Sequence, residues 1–164
     1  MQEFLEKQLE RTNYWLAFAE AKNTALIALN IALIAVLADY LSITPIIATV
    51  IEIALVISSI ICGASFCPKL SPVKAMHGEG QNLNLIFYGD IARCKDSNDY
   101  LDKVHNRYFV HGDANAYKIQ INKDLAYEIF QNSIIAVGKY QKFKLAVIID
   151  IIGFCFVIFM MIMA

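Results

Sequence analysis

Three long apolar blocks, separated by polar stretches, dominate the pattern of this chain. Thr24 to Leu41 (TALIALNIALIAVLADYL), Ile46 to Cys67 (IIATVIEIALVISSIICGASFC) and Leu145 to Ala164 (LAVIIDIIGFCFVIFMMIMA) hold almost no charge. A helix rises about 1.5 Å per residue, so about 20 residues cross a hydrocarbon core about 30 Å thick. The second and third blocks reach that length. The first is near the short end and borrows Ala17 to Lys22 by snorkelling. Their hydrophobicity runs all round the helix, and a chain of 164 residues has too little else to wrap three such helices as a soluble core. The pattern therefore predicts three transmembrane helices.

Ahead of the first block, Met1, Leu5, Leu9, Leu16 and Ala19 fall on one stripe at spacings of three and four, with Thr12 in the gap. Glu3, Glu6, Lys7, Glu10 and Arg11 fill the remaining positions. This is the period of an amphipathic helix. Its polar face is not strongly basic, so packing on protein is the better reading than lying on lipid. Tyr14 and Trp15 are placed to anchor it at a membrane interface. The charged opening and the late start of the first block argue against a cleaved signal peptide.

Between the second and third blocks the pattern changes. Pro68 and Pro72 end a helix, Gly78 and Gly80 continue an irregular stretch, and Asn82–Ala92 (NLNLIFYGDIA) is an apolar run interrupted by Gly89. Asp96 and Ser97 are good N-caps for a helix through about Tyr108. A loop follows at His111–Asn115. From about Ala116, Ile121, Leu125, Ile129, Asn132, Ala136 and Tyr140 recur every three or four residues, with Gly138 the one breaker before the third block. One continuous helix is expected there, tying the polar region rigidly to the third span. The expected fold is an all-α membrane protein, three transmembrane helices with a small, mainly helical cytosolic domain between the second and third. Its segments are an amphipathic cytosolic helix (1–23), a transmembrane helical hairpin (24–67), the cytosolic domain (68–144) and the third transmembrane helix (145–164).

Composition agrees: 58% of residues are hydrophobic and 18% charged, against about 45–50% and 25% in soluble domains. The net charge of −1 lacks the basic surplus of a DNA- or RNA-binding protein. The distribution of charge adds orientation. Lys7, Arg11 and Lys22 precede the first span, the other eleven basic residues lie between Cys67 and Leu145, and none lies in Ser42–Pro45 or after the third block starts. By the positive-inside pattern the N-terminus and middle domain are cytosolic, and the tight turn and C-terminus face outward.

The sequence carries no catalytic set. It has no glycine-rich phosphate loop, no GxSxG, no HExxH and no Cys/His nucleophile pair. Asp90 after a glycine has the placing of a cap or turn residue more than of a general base. Cys62, Cys67, Cys94 and Cys155 form no CxxC, and His77, His105 and His111 are scattered, so neither a metal site nor a cofactor is expected. Polar residues inside the spans stand out instead: Asn30, Glu52 and Asp150. An acidic residue at mid-membrane costs roughly 2.5–3.5 kcal/mol, so each should face protein or water. Glu52 shares a stripe with Thr49, Val56, Ser59 and Gly63, and Asp150 a face with Ala146, Gly153 and Val157. Small residues permit close helix approach, and Asn30 can hydrogen-bond across an interface.

Three stretches carry a family resemblance: AEAKNTALIALN (Ala19–Asn30), NLNLIFYGDIA, and DLAYEIFQNSIIAVGKYQKFKLAV (Asp124–Val147). Together with the order of spans, they make the chain similar to the membrane effectors of bacterial Pycsar antiphage systems, in which a cyclase makes a cyclic pyrimidine mononucleotide on infection. The chain departs from that pattern at Ile31, where a small residue is frequent, and at Phe87-Tyr88, where two Phe are frequent. The resemblance implies an antiviral defence effector of the bacterial inner membrane. Its cytosolic domain would sense cyclic CMP or cyclic UMP made by a pyrimidine nucleotide cyclase. Its homo-oligomer would disrupt the bilayer and cause abortive infection.

A cyclic mononucleotide needs a donor for its phosphate charge, an aromatic face for the base and a polar group for the base edge. Arg93, Arg107, Lys139 and Lys142 are candidates for the first. Phe87, Tyr88, Tyr100 and Tyr140 are candidates for the second, and Asp90 or Asn132 for the third. Two other readings stay open: a constitutive small membrane channel or transporter subunit, and a membrane scaffold that docks a protein.

Overall fold

A computed structural model describes residues 1–38, 45–67, 83–109 and 118–163, and these are helical with short connections. The turn at Ser42–Thr44, Pro68, Pro72, Gly78, Gly80, His77 and the loop at His111–Asn115 lie outside the described residues. The elements are α1 (Gln2–Ala38), α2 (Pro45–Gly63), α3 (Tyr88–Ile91), α4 (Ser97–Tyr108) and α5 (Gln120–Met163).

Helix α1 holds 37 residues with neither Gly nor Pro, so it runs unbroken through the position where the amphipathic segment was expected to give way to the first span. Its buried residues are Leu5, Gln8, Thr12, Ala19, Asn23 and Asn30, a single stripe at steps of three, four and seven. The stripe tolerates polar residues because they bond within the helix: Thr12 Oγ1 donates to the Gln8 carbonyl at 2.9 Å and Asn23 Nδ2 to the Ala19 carbonyl at 2.8 Å. Helix α2 opens on Pro45, where the missing N–H has no helical partner to lose, and closes at Gly63. Helix α4 starts as the sequence indicates. The Asp96 carboxylate accepts from the Asp99 N–H at 2.8 Å, and the Asp99 carboxylate accepts from the Lys95 N–H at 2.9 Å. Burial works to raise the Asp99 carboxyl, but its bonds from Lys103 and the Lys95 N–H win and hold it low.

Helix α5 spans 44 residues, and Gly138 does not interrupt it. Its buried stripe in the first half runs through Asn122, Ala126, Ile129, Ser133 and Ala136. The start of that stripe sits one residue from the expected line, and Ile121 is exposed.

The chain divides into two compact units. The first comprises Met1–Phe18 and Lys69–Gly138, the second Ala19–Pro68 and Lys139–Ala164, so α1 and α5 contribute to both. In the first unit, Leu5 of α1 packs in one core with Leu85, Ile91, Tyr100, Leu101, Val104 and Ile129. Of the apolar stripe of the N-terminal helix, Met1, Leu5 and Leu9 thus pack on protein. Tyr100 is fully buried, its hydroxyl donates to the Leu85 carbonyl at 3.4 Å, and burial pushes its phenol well up. Cys94, also fully buried, is pushed up to about 11 by desolvation and is an inert thiol at neutral pH.

In the second unit Ile51 and Leu55 of α2 pack against Leu33, Ile34 and Leu37 of α1. Among the described residues, α1 and α2 are long and apolar enough to cross a membrane. The third apolar block forms the C-terminal end of α5. The unit exposes large apolar side chains widely, among them Ile31, Ile46, Ile60, Ile152 and Phe159. Such an apolar surface is covered by lipid or protein rather than water. Near the end of α2, Lys139 Nζ donates to the Ser65 carbonyl at 2.7 Å and pairs with Glu20 at 3.0 Å, while Lys142 Nζ donates to the Ala64 carbonyl at 2.5 Å. Cations on these trailing carbonyls suit the negative end of a helix.

Candidate functional site

The segment 83–93 of the first unit is built from local hydrogen bonds. Asn84 Oδ1 accepts from the Ile86 N–H at 3.0 Å, and Asp90 Oδ2 from the Asn84 N–H at 3.0 Å. The Phe87 carbonyl accepts from the N–H groups of Asp90 and Ile91, each at 3.0 Å, which winds the single turn α3. Two distant side chains hold the segment: Gln8 Nε2 donates to the Ile86 carbonyl at 2.8 Å, and the Arg107 guanidinium donates to the Leu83 carbonyl. Leu85 and Ile91 are thereby turned into the core, and Phe87 is left 44% exposed.

Glycine at 89 has a steric reason. A Cβ there would lie 2.6 Å from Phe87 Cε1, so the ring rests where any other residue would have its side chain. Phe87 begins a continuous aromatic run. Its centroid is 4.6 Å from Tyr88, Tyr88 is 5.6 Å from Trp15, and Trp15 is 6.3 Å from Phe18, which stacks on Tyr14. Burial pushes the Tyr88 phenol up, so its hydroxyl keeps its proton at neutral pH. One turn on, Arg93 pairs with Asp90 at 3.6 Å, both partly exposed. A pair of that kind contributes at most about 1 kcal/mol, so an anionic ligand can compete for the guanidinium at small cost.

Of the candidates named from sequence, Phe87, Tyr88, Asp90 and Arg93 are brought together here. Tyr100 is a core residue. Asn132 joins α5 to α1, its Nδ2 donating to Asn13 Oδ1 at 2.9 Å. Lys139 and Tyr140 belong to the second unit, where Lys22 Nζ lies 5.5 Å from the Tyr140 ring centroid. Trp15 and Phe18 were not among the candidates, and neither was Gln8, which shapes the segment. Gln8 is signalled in the sequence only by its place on the buried stripe of α1, and Trp15 only as an aromatic suited to a membrane interface. Among the described residues no group of His, Cys, Asp or Glu is clustered to hold a metal ion.

The intramembrane candidates separate in the same way. Asn30 of α1, Ser58 of α2 and Asp150 of α5 meet in the second unit. Asn30 Nδ2 donates to Ser58 Oγ at 3.0 Å, and Ser58 Oγ donates to Asp150 Oδ2 at 2.8 Å. Gly153 lets the helices approach, since a Cβ there would lie 3.0 Å from Ala54 Cβ. Glu52 is half-buried and stands outside this network.

The family described as Pycsar effector protein domain matches residues 4–164. No curated protein and no solved structure matches the chain. With the family match covering nearly the whole sequence, and apolar helices long enough to cross a bilayer, this chain belongs to the Pycsar effector family of antiphage-defence membrane proteins.

Proposed function

We propose that the first unit binds a cyclic pyrimidine mononucleotide, cyclic CMP or cyclic UMP, and that the second unit then permeabilises the bacterial inner membrane and ends growth before phage mature. The observation that carries this reading is the surface run of aromatic rings ending at Phe87, with the Arg93 guanidinium, paired to Asp90, in the same short segment. A pyrimidine base takes the ring face, the cyclic phosphate takes the guanidinium, and Asp90 takes a base-edge N–H. The protein is not an enzyme in this reading; the pyrimidine cyclase is a separate partner, and the effector acts as a homo-oligomer. Binding acts on the membrane only through contacts that differ between two arrangements, and α5 is the direct carrier.

Thermal-shift titration of the detergent-purified chain tests the reading. A ligand at 100 times its Kd stabilises by about 2.7 kcal/mol, roughly 5–10 °C for a protein of this size. Cyclic CMP or cyclic UMP should give that shift, and cyclic AMP and cyclic GMP should not. No shift with any of the four overturns the reading. Expression separates the rivals: the effector is tolerated alone and toxic with its cyclase, a constitutive channel leaks alone, and a scaffold never leaks.

Three spans, with the apolar end of α5 as the third, put the N-terminus and first unit in the cytosol and the C-terminus outside. A periplasm-active reporter fused after Ala164 should then be active and one inserted near Gly112 inactive. The reverse pattern overturns the orientation, and two like signals overturn the odd number of spans.

A further inference from the structure

The polar cluster of the second unit is short of one donor. Asn30 Nδ2 spends its hydrogens on Ser58 Oγ, Ser59 Oγ and the Leu55 carbonyl at 3.0, 3.2 and 3.3 Å. The Ser59 hydroxyl donates back to the Leu55 carbonyl at 2.8 Å, and the Ser58 hydroxyl donates to Asp150 Oδ2. Two acceptors remain, Asn30 Oδ1 and Asp150 Oδ1, and neither has a hydrogen-bond partner among the described residues. Asn30 is 1% exposed and Asp150 7%, so solvent does not supply the missing donor.

No cation supplies it either. Residues 24–38, 45–63 and 145–163 contain no Lys, Arg or His. Helix α1 brings Asn30 to the carboxyl. Helix α2 brings Ser58, and its buried Cys62 lies within electrostatic reach, with Glu52 half-buried further along the same helix. Cys155 on α5 itself is exposed. An ionised Asp150 would hold a full charge with only neutral partners, the Ser58 hydroxyl on Oδ2 and the Asn30 amide beside it, and with only acids and thiols as titratable company among the described spans.

We propose that Asp150 is a proton-binding site, occupied on Oδ1 while α1, α2 and α5 are packed together and emptied when water enters between them. The proton turns the unmatched carboxyl oxygen into a donor, and Asn30 Oδ1 is the acceptor of the cluster that lacks one. On release the O–H bond breaks, the electron pair stays on the carboxylate and the proton passes to water. The charged carboxylate then needs hydration, so proton release and opening of the unit accompany each other. That coupling rests on the proposed permeabilising function; the occupied proton site does not.

Infrared difference spectroscopy of the full chain in phosphatidylethanolamine–phosphatidylglycerol vesicles tests the site. Wild type at neutral pH should show the C=O stretch of a protonated carboxyl. The band should vanish in Asp150→Asn, which keeps the shape and a donor, and persist in Glu52→Gln. Its absence in wild type, or its survival in Asp150→Asn, overturns the site. Ser58→Ala is the second variant: losing the hydrogen bond on Oδ2 should shift the band, and an unshifted band overturns the assignment. Adding cyclic CMP or cyclic UMP then tests the coupling. Dye release should grow as the band shrinks, and Asp150→Asn should release dye at least tenfold more slowly. Release with an undiminished band overturns the coupling. If neither nucleotide releases dye from wild type, the permeabilising function fails, and the band alone still decides the site.

Discussion

Tyr140→Pro is expected to abolish nucleotide-triggered leakage while leaving nucleotide affinity within about threefold of wild type. Helix α5 runs without interruption from Gln120 to Met163, and Tyr140 lies in its interior. Proline there removes one i to i−4 hydrogen bond and its ring collides with the preceding turn, at a cost of about 3 kcal/mol or more. Phe87, Tyr88, Asp90 and Arg93 are all in the other compact unit, so the lesion leaves the binding residues intact. The control is Tyr140→Ala, which removes the same side chain, its contact with Lys22 included, and keeps the helix. Affinity by calorimetry and dye release from vesicles are measured on both. A proline variant that binds and leaks like wild type would show that α5 does not carry the signal.

Removing either end of the proposed nucleotide site should weaken affinity by about 5- to 150-fold. Stacking of a base on an aromatic ring is worth about 1–3 kcal/mol, so Phe87→Ala should weaken binding roughly 5- to 150-fold. A hydrogen bond to a charged group is worth about 1.5–3 kcal/mol, so Arg93→Ala should weaken it by a similar factor. Neither change should unfold the protein, because Phe87 is 44% exposed and the Arg93–Asp90 pair is a partly exposed one. Tyr100→Phe is the matched control. It alters an aromatic of the same segment's core, removes only a 3.4 Å hydrogen bond to the Leu85 carbonyl, and should leave affinity unchanged. Wild-type affinity in both site variants would move the nucleotide elsewhere. Loss in Tyr100→Phe as great as in Arg93→Ala would mean that the site is sensitive to the core rather than built from these two side chains.

Much of this architecture is legible from one-dimensional pattern because helices are local structures. Apolar blocks of about 20 residues announce themselves by length. Asp96 announces the start of α4 through a bond to an N–H only three residues on. The absence of Gly and Pro from residues 2–38 is enough for α1 to be continuous, and Gly138 alone is too weak a breaker to end α5. The family likeness of Asn82–Ala92 marked the segment that holds Phe87, Tyr88 and Asp90.

What the sequence could not assign is which side chains meet. Composition treats Tyr88 and Tyr100 as equivalent aromatics, yet one sits in a surface run beside Trp15 and the other fills the core. Lys139 and Arg93 read as equivalent cations, yet Lys139 closes onto Ser65 and Glu20 in one unit and Arg93 stays partly exposed in the other. Asn30, Glu52 and Asp150 read as three comparable polar interruptions of apolar helices. Packing joins Asn30 to Asp150 through Ser58, residues 28 and 92 positions apart in sequence from it, and leaves Glu52 out. Period and capping act within a turn or two and are written in neighbouring residues. Burial and hydrogen-bond pairing between helices depend on the rotation of each helix about its axis, and only the tertiary structure sets that.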